Sequence, residues 1–172
     1  MCLVIFKRKP IPGIKRFVLF NRDEQIKRKR TNLELHVNQK HNNRILCGVD
    51  VRTGGTWFGL NLDTGNLGFL TNYENKPTIP ISNRKYKRAS LLMNFLKEKE
   101  RMSHADKFKE YLQMFLEEGE KFNGTNIWLS NIPEYNQVIF AHNQEPGENF
   151  TVLDEDDFYA FGTGDAKDSW EK

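Results

Sequence analysis

Hydrophobic positions along this chain recur with a period of about two, then about 3.6, then about two again, which divides it into strand, helix and strand stretches. Residues 2–6 (Cys-Leu-Val-Ile-Phe) and 16–20 (Arg-Phe-Val-Leu-Phe) are short apolar runs separated by Pro10-Ile11-Pro12-Gly13, a turn signal, and they predict two paired strands. Ile45-Leu46-Cys47-Gly48-Val49 leads through Thr53-Gly54-Gly55 into Thr56-Trp57-Phe58-Gly59-Leu60. Asp63-Thr64-Gly65-Asn66 then turns the chain into Leu67-Gly68-Phe69-Leu70-Thr71, so a three-stranded meander is expected. After Pro77 and Pro80, Arg88, Leu91, Leu92, Phe95, Leu96 and Lys99 fall on one helical stripe. Ser103 and Asp106 have the spacing of a capping box for a second helix, whose apolar face is Phe108, Tyr111, Leu112, Phe115 and Leu116 and whose end lies near Gly119. Strand patterns return at 125–129, 137–141, 150–153 and 158–161.

Strands, two helices and strands again predict an α+β layered fold with a largely antiparallel sheet. Two helices cover one face of such a sheet, so its other face must meet a second sheet. With no repeat or linker, residues 1–172 read as a single domain. The closing Ser169-Trp170-Glu171-Lys172 shows no terminating signal, and more chain or a partner is expected to complete the fold.

Composition adds limits on class. Apolar residues make up 38% and the thirteen phenylalanines supply a core, while no apolar run approaches the ~20 residues that span a bilayer. Two cysteines exclude a disulfide framework, and the five-residue apolar opening is shorter than a secretory h-region, so the sequons at Asn123 and Asn149 read as chance matches. Lys7, Arg8, Lys9, Lys15 and Arg16 overlap in composition with a mitochondrial presequence, but Pro10, Pro12 and Gly13 would break its helix. The net charge of +3 conceals +13 through Arg101 and −10 after it. That asymmetry suits attraction between two layers, or a basic face offered to an anionic ligand or membrane surface. The run Lys27-Arg28-Lys29-Arg30 has no interleaved aromatic residue; it reads as a solvated loop and argues against nucleic acid.

Candidate chemistry begins at Cys2. Removal of Met1 would expose a terminal cysteine whose α-amine, with a reference pKa of ~8, can act as base for its own thiol. The alternative is a small apolar residue opening a buried strand. Asn21-Arg22-Asp23-Glu24 places four polar groups where the second strand leaves the core, a plausible rim for a site, although Asn21 and Glu24 could equally cap strand ends. Trp57 follows a Gly-Gly turn and either packs over it or stacks on a ligand. His36, His41, His104 and His142 are scattered in polar segments, without the spacing of a haem attachment motif, and no metal is assigned.

Met1-Cys2, Asn21-Arg22-Asp23-Glu24, Gly54-Gly55-Thr56-Trp57-Phe58-Gly59 and Leu70-Thr71-Asn72-Tyr73 together resemble the family of transport and Golgi organisation protein 2, also named for its Asn-Arg-Asp-Glu motif. Phe122-Asn123-Gly124-Thr125-Asn126-Ile127 and Tyr159 with Trp170 and Lys172 extend the resemblance along the chain, which then looks like the N-terminal portion of a longer family fold. The family is in turn similar to N-terminal nucleophile hydrolases of the cysteine type, and this implies a four-layer αββα sandwich with Cys2, Arg22, Asp23 and Asn72 in the catalytic places if the chain is a hydrolase. Gly162-Thr163 stands where the family reads Ser-Asn, so one amide donor for an oxyanion is missing. The resemblance implies haem trafficking linked to lipid balance, in the cytoplasm with mitochondria and Golgi as associated organelles. It implies haem or another amphipathic molecule as transported ligand, held by Cys2, Asn21, Arg22, Asp23, Glu24, Trp57 and Asn72, with no cofactor required. An N-terminal cysteine amidohydrolase acting on a non-peptide amide is the alternative.

Overall fold

A computed structural model describes residues 2–14, 16–73, 86–133, 135–143, 149–153 and 158–163. In chain order the elements are β1 (Leu3–Arg8), β2 (Arg16–Asn21), β3 (Glu34–Asn38), β4 (Asn43–Cys47), β5 (Phe58–Asn61), β6 (Asn66–Asn72), α1 (Arg88–Lys97), α2 (Ala105–Glu117), β7 (Thr125–Asn131), β8 (Tyr135–His142), β9 (Phe150–Leu153) and β10 (Phe158–Phe161). They form an α+β fold whose strand pairs are antiparallel. One sheet runs β3-β4-β5-β6-β7-β8-β9 and the other β10-β1-β2.

The seven-stranded sheet is covered on both faces, which explains why β6 and β7 are almost uninterruptedly buried rather than alternating. On one face, Leu91, Leu92, Phe95 and Leu96 of α1 and Phe108, Leu112 and Phe115 of α2 pack on Ile45, Cys47, Leu70, Ile127, Leu129 and Ile139. On the other, Phe69, Trp128, Val138 and Phe140 meet Val4, Phe6 and Phe161 of the smaller sheet. Phe20 of β2 stacks on Phe58 of β5 at 5.6 Å between centroids, and Phe161 of β10 lies 4.4 Å from Trp128 of β7. Phe20, Val4 and Phe161 form one register row across the small sheet, and Phe58, Phe69, Trp128 and Phe140 form one across the large sheet. Two ring contacts at matching spacings therefore hold the strands of the two sheets nearly aligned, with β2 over β5 and β10 over β7.

Helix α1 is fastened at both ends by the sheet. The side-chain amides of Asn43 and Asn61 donate to the carbonyls of Lys97 and Leu96, satisfying acceptors that a helix terminus leaves open, and the Asn66 amide holds the following loop at the Glu100 carbonyl. At the other end the Thr56 amide donates to the Ala89 carbonyl at 3.0 Å, and the backbone of Gly55 lies against Ala89.

Several sequence expectations need correction. The edge strand β3 has no counterpart in the expected elements, because Glu34-Leu35-His36-Val37-Asn38 is polar and exposed, and pairing with β4 is what makes it a strand. The meander strand expected at 45–49 is β4, two residues earlier, and helix α1 stops at Lys97 before Lys99. The expected Ser103 capping box does not form: His104 is the N-cap of α2 and makes no side-chain capping bond. Pro77, Pro80, Trp170 and Lys172 lie outside the described residues.

A methyl group on Gly55 would sit 2.5 Å from the Ala89 backbone, so Gly55→Ala must displace the start of α1. The expected loss is about 1–3 kcal/mol in urea unfolding at an unchanged m-value, as for other overpacked sites; an unchanged midpoint would show that α1 is not anchored here.

Candidate functional site

Extending the small-sheet register one pleat past Leu3↔Asn21 and Val4↔Phe161 sets Cys2 between Arg22 and Thr163. Cys2 and Thr163 are buried and Arg22 is half-buried. Cys2 shares the inward face with Val4 and Phe6, so its thiol lies between the sheets. With β1 over β6 and β10 over β7, Cys2 and Thr163 face Thr71 and Asn126, one pleat beyond Phe69 and Trp128, and His142 continues that row on β8, past the edge of the small sheet. Thr71 and Asn126 are fully buried, and the Asn126 amide donates to the Thr71 hydroxyl at 3.4 Å. A polar floor thus lies below a polar roof, directly next to the aromatic row that joins the sheets.

Arg22 is the charged member of the roof. Its side chain is 12% exposed and its guanidinium carbon lies 3.5 Å from the centroid of the Trp57 ring, in a cation–π stack. Arg28 approaches the same ring at 5.1 Å. Two neighbouring cations require counter-charge, and the chain supplies it unevenly. Asp50, wholly buried, accepts from Arg28 Nε at 2.7 Å, and its other oxygen accepts from the backbone amides of Arg52 and Thr53. Glu24 accepts from Arg28 at 2.7 Å but stands 3.6 Å from Arg22 Nη2. Nε and Nη2 of Arg22 are buried without a hydrogen-bond partner, and the Glu24 carboxylate at 3.6 Å is the nearest counter-charge.

Burial works against ionisation of the Cys2 thiol in the chain that carries Met1. Burial pushes the Cys2 thiol up from its usual value, against the lowering effects of the Asp23 backbone amide, which bonds to it, and of the Arg22 charge. Burial likewise pulls the Arg22 guanidinium down from its usual value, against the Glu24 charge. The second cysteine, Cys47, lies on the helix side of the sheet, where burial raises its thiol to about 11.

The sequence-derived residues fall into two groups. Cys2, Arg22, Glu24 and Trp57 gather at one place, and Asp23 joins them through its backbone amide. Asn21 is exposed, on the same side of β2 as Phe17 and Leu19, and faces away from the other sheet. Asn72 ends β6 with the parity of Leu70, toward the helices, and its buried Oδ1 has no partner. Arg28, expected in a solvated loop, is instead an anchoring residue held by Asp50 and Glu24. Sequence reasoning missed Thr71 and Asn126 as the polar residues facing Cys2 and Thr163; buried polar residues at alternate positions of apolar strands were the available signal. The end of β2, the start of β5, the end of β6 and the start of β7 all meet here, so Asn21–Glu24, Gly54–Gly59, Leu70–Tyr73 and Phe122–Ile127 come together from four separate places in the chain. That ordered set of motifs corresponds to a family whose model, described as Transport and Golgi organisation 2, matches residues 1–172.

The chain belongs to this family.

Comparison with curated proteins finds no match. Membership of the Transport and Golgi organisation 2 family links the chain to transport and Golgi organisation. Among the described residues no helix is long and apolar enough to cross a membrane, and no group of three or more His, Cys, Asp or Glu could hold a metal ion. Two open concavities flank the Arg28 side chain. One of about 490 Å³ is lined by Glu24, Lys27, Arg28, Lys29, Val51 and Arg52, and a recess of about 80 Å³ reaches Trp57 and the start of α1. A larger concavity of about 1060 Å³ opens between α1, α2 and the β3–β4 turn, away from Cys2.

Removing the Asp50 carboxylate in Asp50→Ala strands Arg28 and two turn amides; because Arg28 is 29% exposed and can rehydrate, the expected loss is about 2–3 kcal/mol. Chemical unfolding measures it, and a change below about 0.5 kcal/mol would show that the Asp50 anchor is dispensable. Alkylation of the native protein by iodoacetamide is expected to stay slow through neutral pH and to accelerate only under alkaline conditions, since only the thiolate reacts and burial raises the Cys2 thiol. Fast modification of Cys2 at pH 7 would contradict a protonated, buried thiol.

Proposed function

We propose that this chain is a trafficking protein for haem or a related amphipathic anion, received in the basic concavity beside the Arg22–Trp57–Arg28 stack and held next to Cys2. The carrying observation is the concavity of about 490 Å³, within the usual range of ligand sites, with Lys27, Arg28, Lys29 and Arg52 around it and Val51 as an apolar contact. Its one acid, Glu24, is already bonded to Arg28. Two propionates, or another pair of anionic groups, would find Lys27, Lys29 and Arg52 around the concavity, with Arg22 behind Glu24 as a second-row charge. A carrier must release its cargo, and a neutral thiol with dispersed cations suits reversible binding better than a strong axial ligand would. No resident cofactor is required. Links to lipid balance, and residence in the cytoplasm with mitochondrial or Golgi association, are part of the same reading, of which the family's description supports transport and Golgi organisation.

The αββα arrangement belongs to this proposal as well. Helices, a seven-stranded sheet and a three-stranded sheet make three successive layers, and a helical layer beyond the small sheet would cover Phe17 and Leu19, which are 45% and 47% exposed.

Hydrolysis is the second reading, favoured by the Asp23 amide on the Cys2 sulfur and by the adjacent Arg22 charge. Against it stands Thr163, which occupies the place beside Cys2 where the family has an amide side chain.

Titration with ferric haem, followed by its Soret band, tests the carrier. Lys27→Glu combined with Arg52→Glu is expected to weaken binding at least ~10-fold, as is Arg22→Ala, while Cys2→Ser changes affinity little. Unchanged binding in the first two variants overturns this placement. Intact-mass analysis of the native N-terminus decides the rival, because retained Met1 leaves no terminal-cysteine nucleophile.

A further inference from the structure

The three-stranded sheet is narrower than the sheet it covers, and the uncovered part has a definite shape. Because β2 lies over β5, strands β4 and β3 project beyond it, a ledge about 10 Å wide at ~4.8 Å per strand. The ledge face is apolar. Leu35 and Val37 of β3 lie opposite Leu46 and Arg44 of β4, and Leu60 and Leu62 continue the face on the β5 side. Leu35, Val37 and Leu62 are 52%, 57% and 44% exposed. Above the ledge, among the described residues, the outer edge of β2 pairs with no strand. Arg16-Phe17-Val18-Leu19-Phe20-Asn21 contains no proline and only a terminal charge, so this edge lacks the usual protection against strand addition.

We propose that the β2 edge and the β3–β4 ledge form a docking groove for one extended segment of a partner protein, apolar at alternate positions and acidic at both ends. The segment would add a fourth strand to the small sheet, its backbone on β2 and its apolar side chains on Leu35, Leu46 and Leu60. Strand geometry selects this occupant. A second copy of the chain pairing β2 to β2 is excluded by shape, because its own β3 and β4 project equally far and would collide with the first ledge. A flat lipid surface would leave the β2 amides and carbonyls unpaired in an apolar setting. Charge selects the ends. Arg16 and Lys40 lie toward the hairpin end of the groove, and Arg30 toward the Asp50 end. The nearby Asp63 is occupied by Arg44, and Glu34 lies on the opposite face of β3. This groove is separate from the proposed ligand site, and either assignment can fail without the other.

Fluorescence anisotropy with a labelled synthetic peptide, Asp-Glu-Val-Thr-Val-Thr-Val-Glu-Asp, tests the groove on the full chain. Expected are a Kd below about 100 μM, a loss of at least ~10-fold in Leu35→Asp combined with Val37→Asp, and a similar loss when alternate peptide amides are N-methylated. Lys40→Glu should weaken binding and steepen none of its salt dependence. Circular dichroism melting checks that these exposed variants remain folded. The proposal is overturned by no binding at about 1 mM peptide, by equal binding of a scrambled peptide of the same composition or by the double variant, or by tighter binding of a Lys-ended peptide. It is equally overturned if the double variant abolishes self-association, or adsorption to phosphatidylserine vesicles, in a protein that never binds the peptide.

Discussion

The face-to-face contact of aromatic rings between the two sheets governs the rest of this molecule. Phe20 on Phe58 and Phe161 on Trp128 set both the alignment of the sheets and their lateral offset. Rings of this size bury large areas and resist sliding, since a shift of one strand would open voids next to Trp128. Once the rows are matched, the next pleat is determined: Cys2 and Thr163 must lie over Thr71 and Asn126, with Arg22 over the start of β5 at Trp57. The same offset leaves β3 and β4 uncovered on the other side.

Burial then sets the chemical character of the site. A thiol between two sheets is held protonated, and a cation placed there needs either a carboxylate or an aromatic face. Arg22 receives the face of Trp57, while the buried carboxylate of Asp50 is committed to Arg28. Glu24, at 3.6 Å, is the counter-charge nearest to Arg22.

Much of the architecture was legible because periodicity is a local property. The helical stripe from Arg88 and the face from Phe108 predicted α1 and α2 to within a few residues, and the apolar runs predicted most strands. The requirement for a second sheet followed from two helices covering one face. Where local signals failed, a distant contact had taken over. Strand β3 exists through its pairing with β4, and the Ser103 capping signal was overridden at His104. Arg28 sat in a run of four basic residues that looked solvated, yet Asp50, twenty-two residues away, draws it inward.

The candidate site divides in the same manner. Cys2, Arg22, Glu24 and Trp57 were recognisable as residue types in motifs, and their order along the chain marked one end of the fold. Which side each residue faces was decided by parity within a strand, and parity depends on register. Asn21 and Asn72 therefore turn away, whereas Thr71 and Asn126, fifty-five residues apart, meet across β6 and β7. By itself the sequence determined the elements, the layering and the vicinity of Cys2, because hydrophobic period and turn chemistry act over a few residues. Only the tertiary structure decided which polar groups face the thiol and which edge remains open, because both follow from how two separately formed sheets are seated on one another.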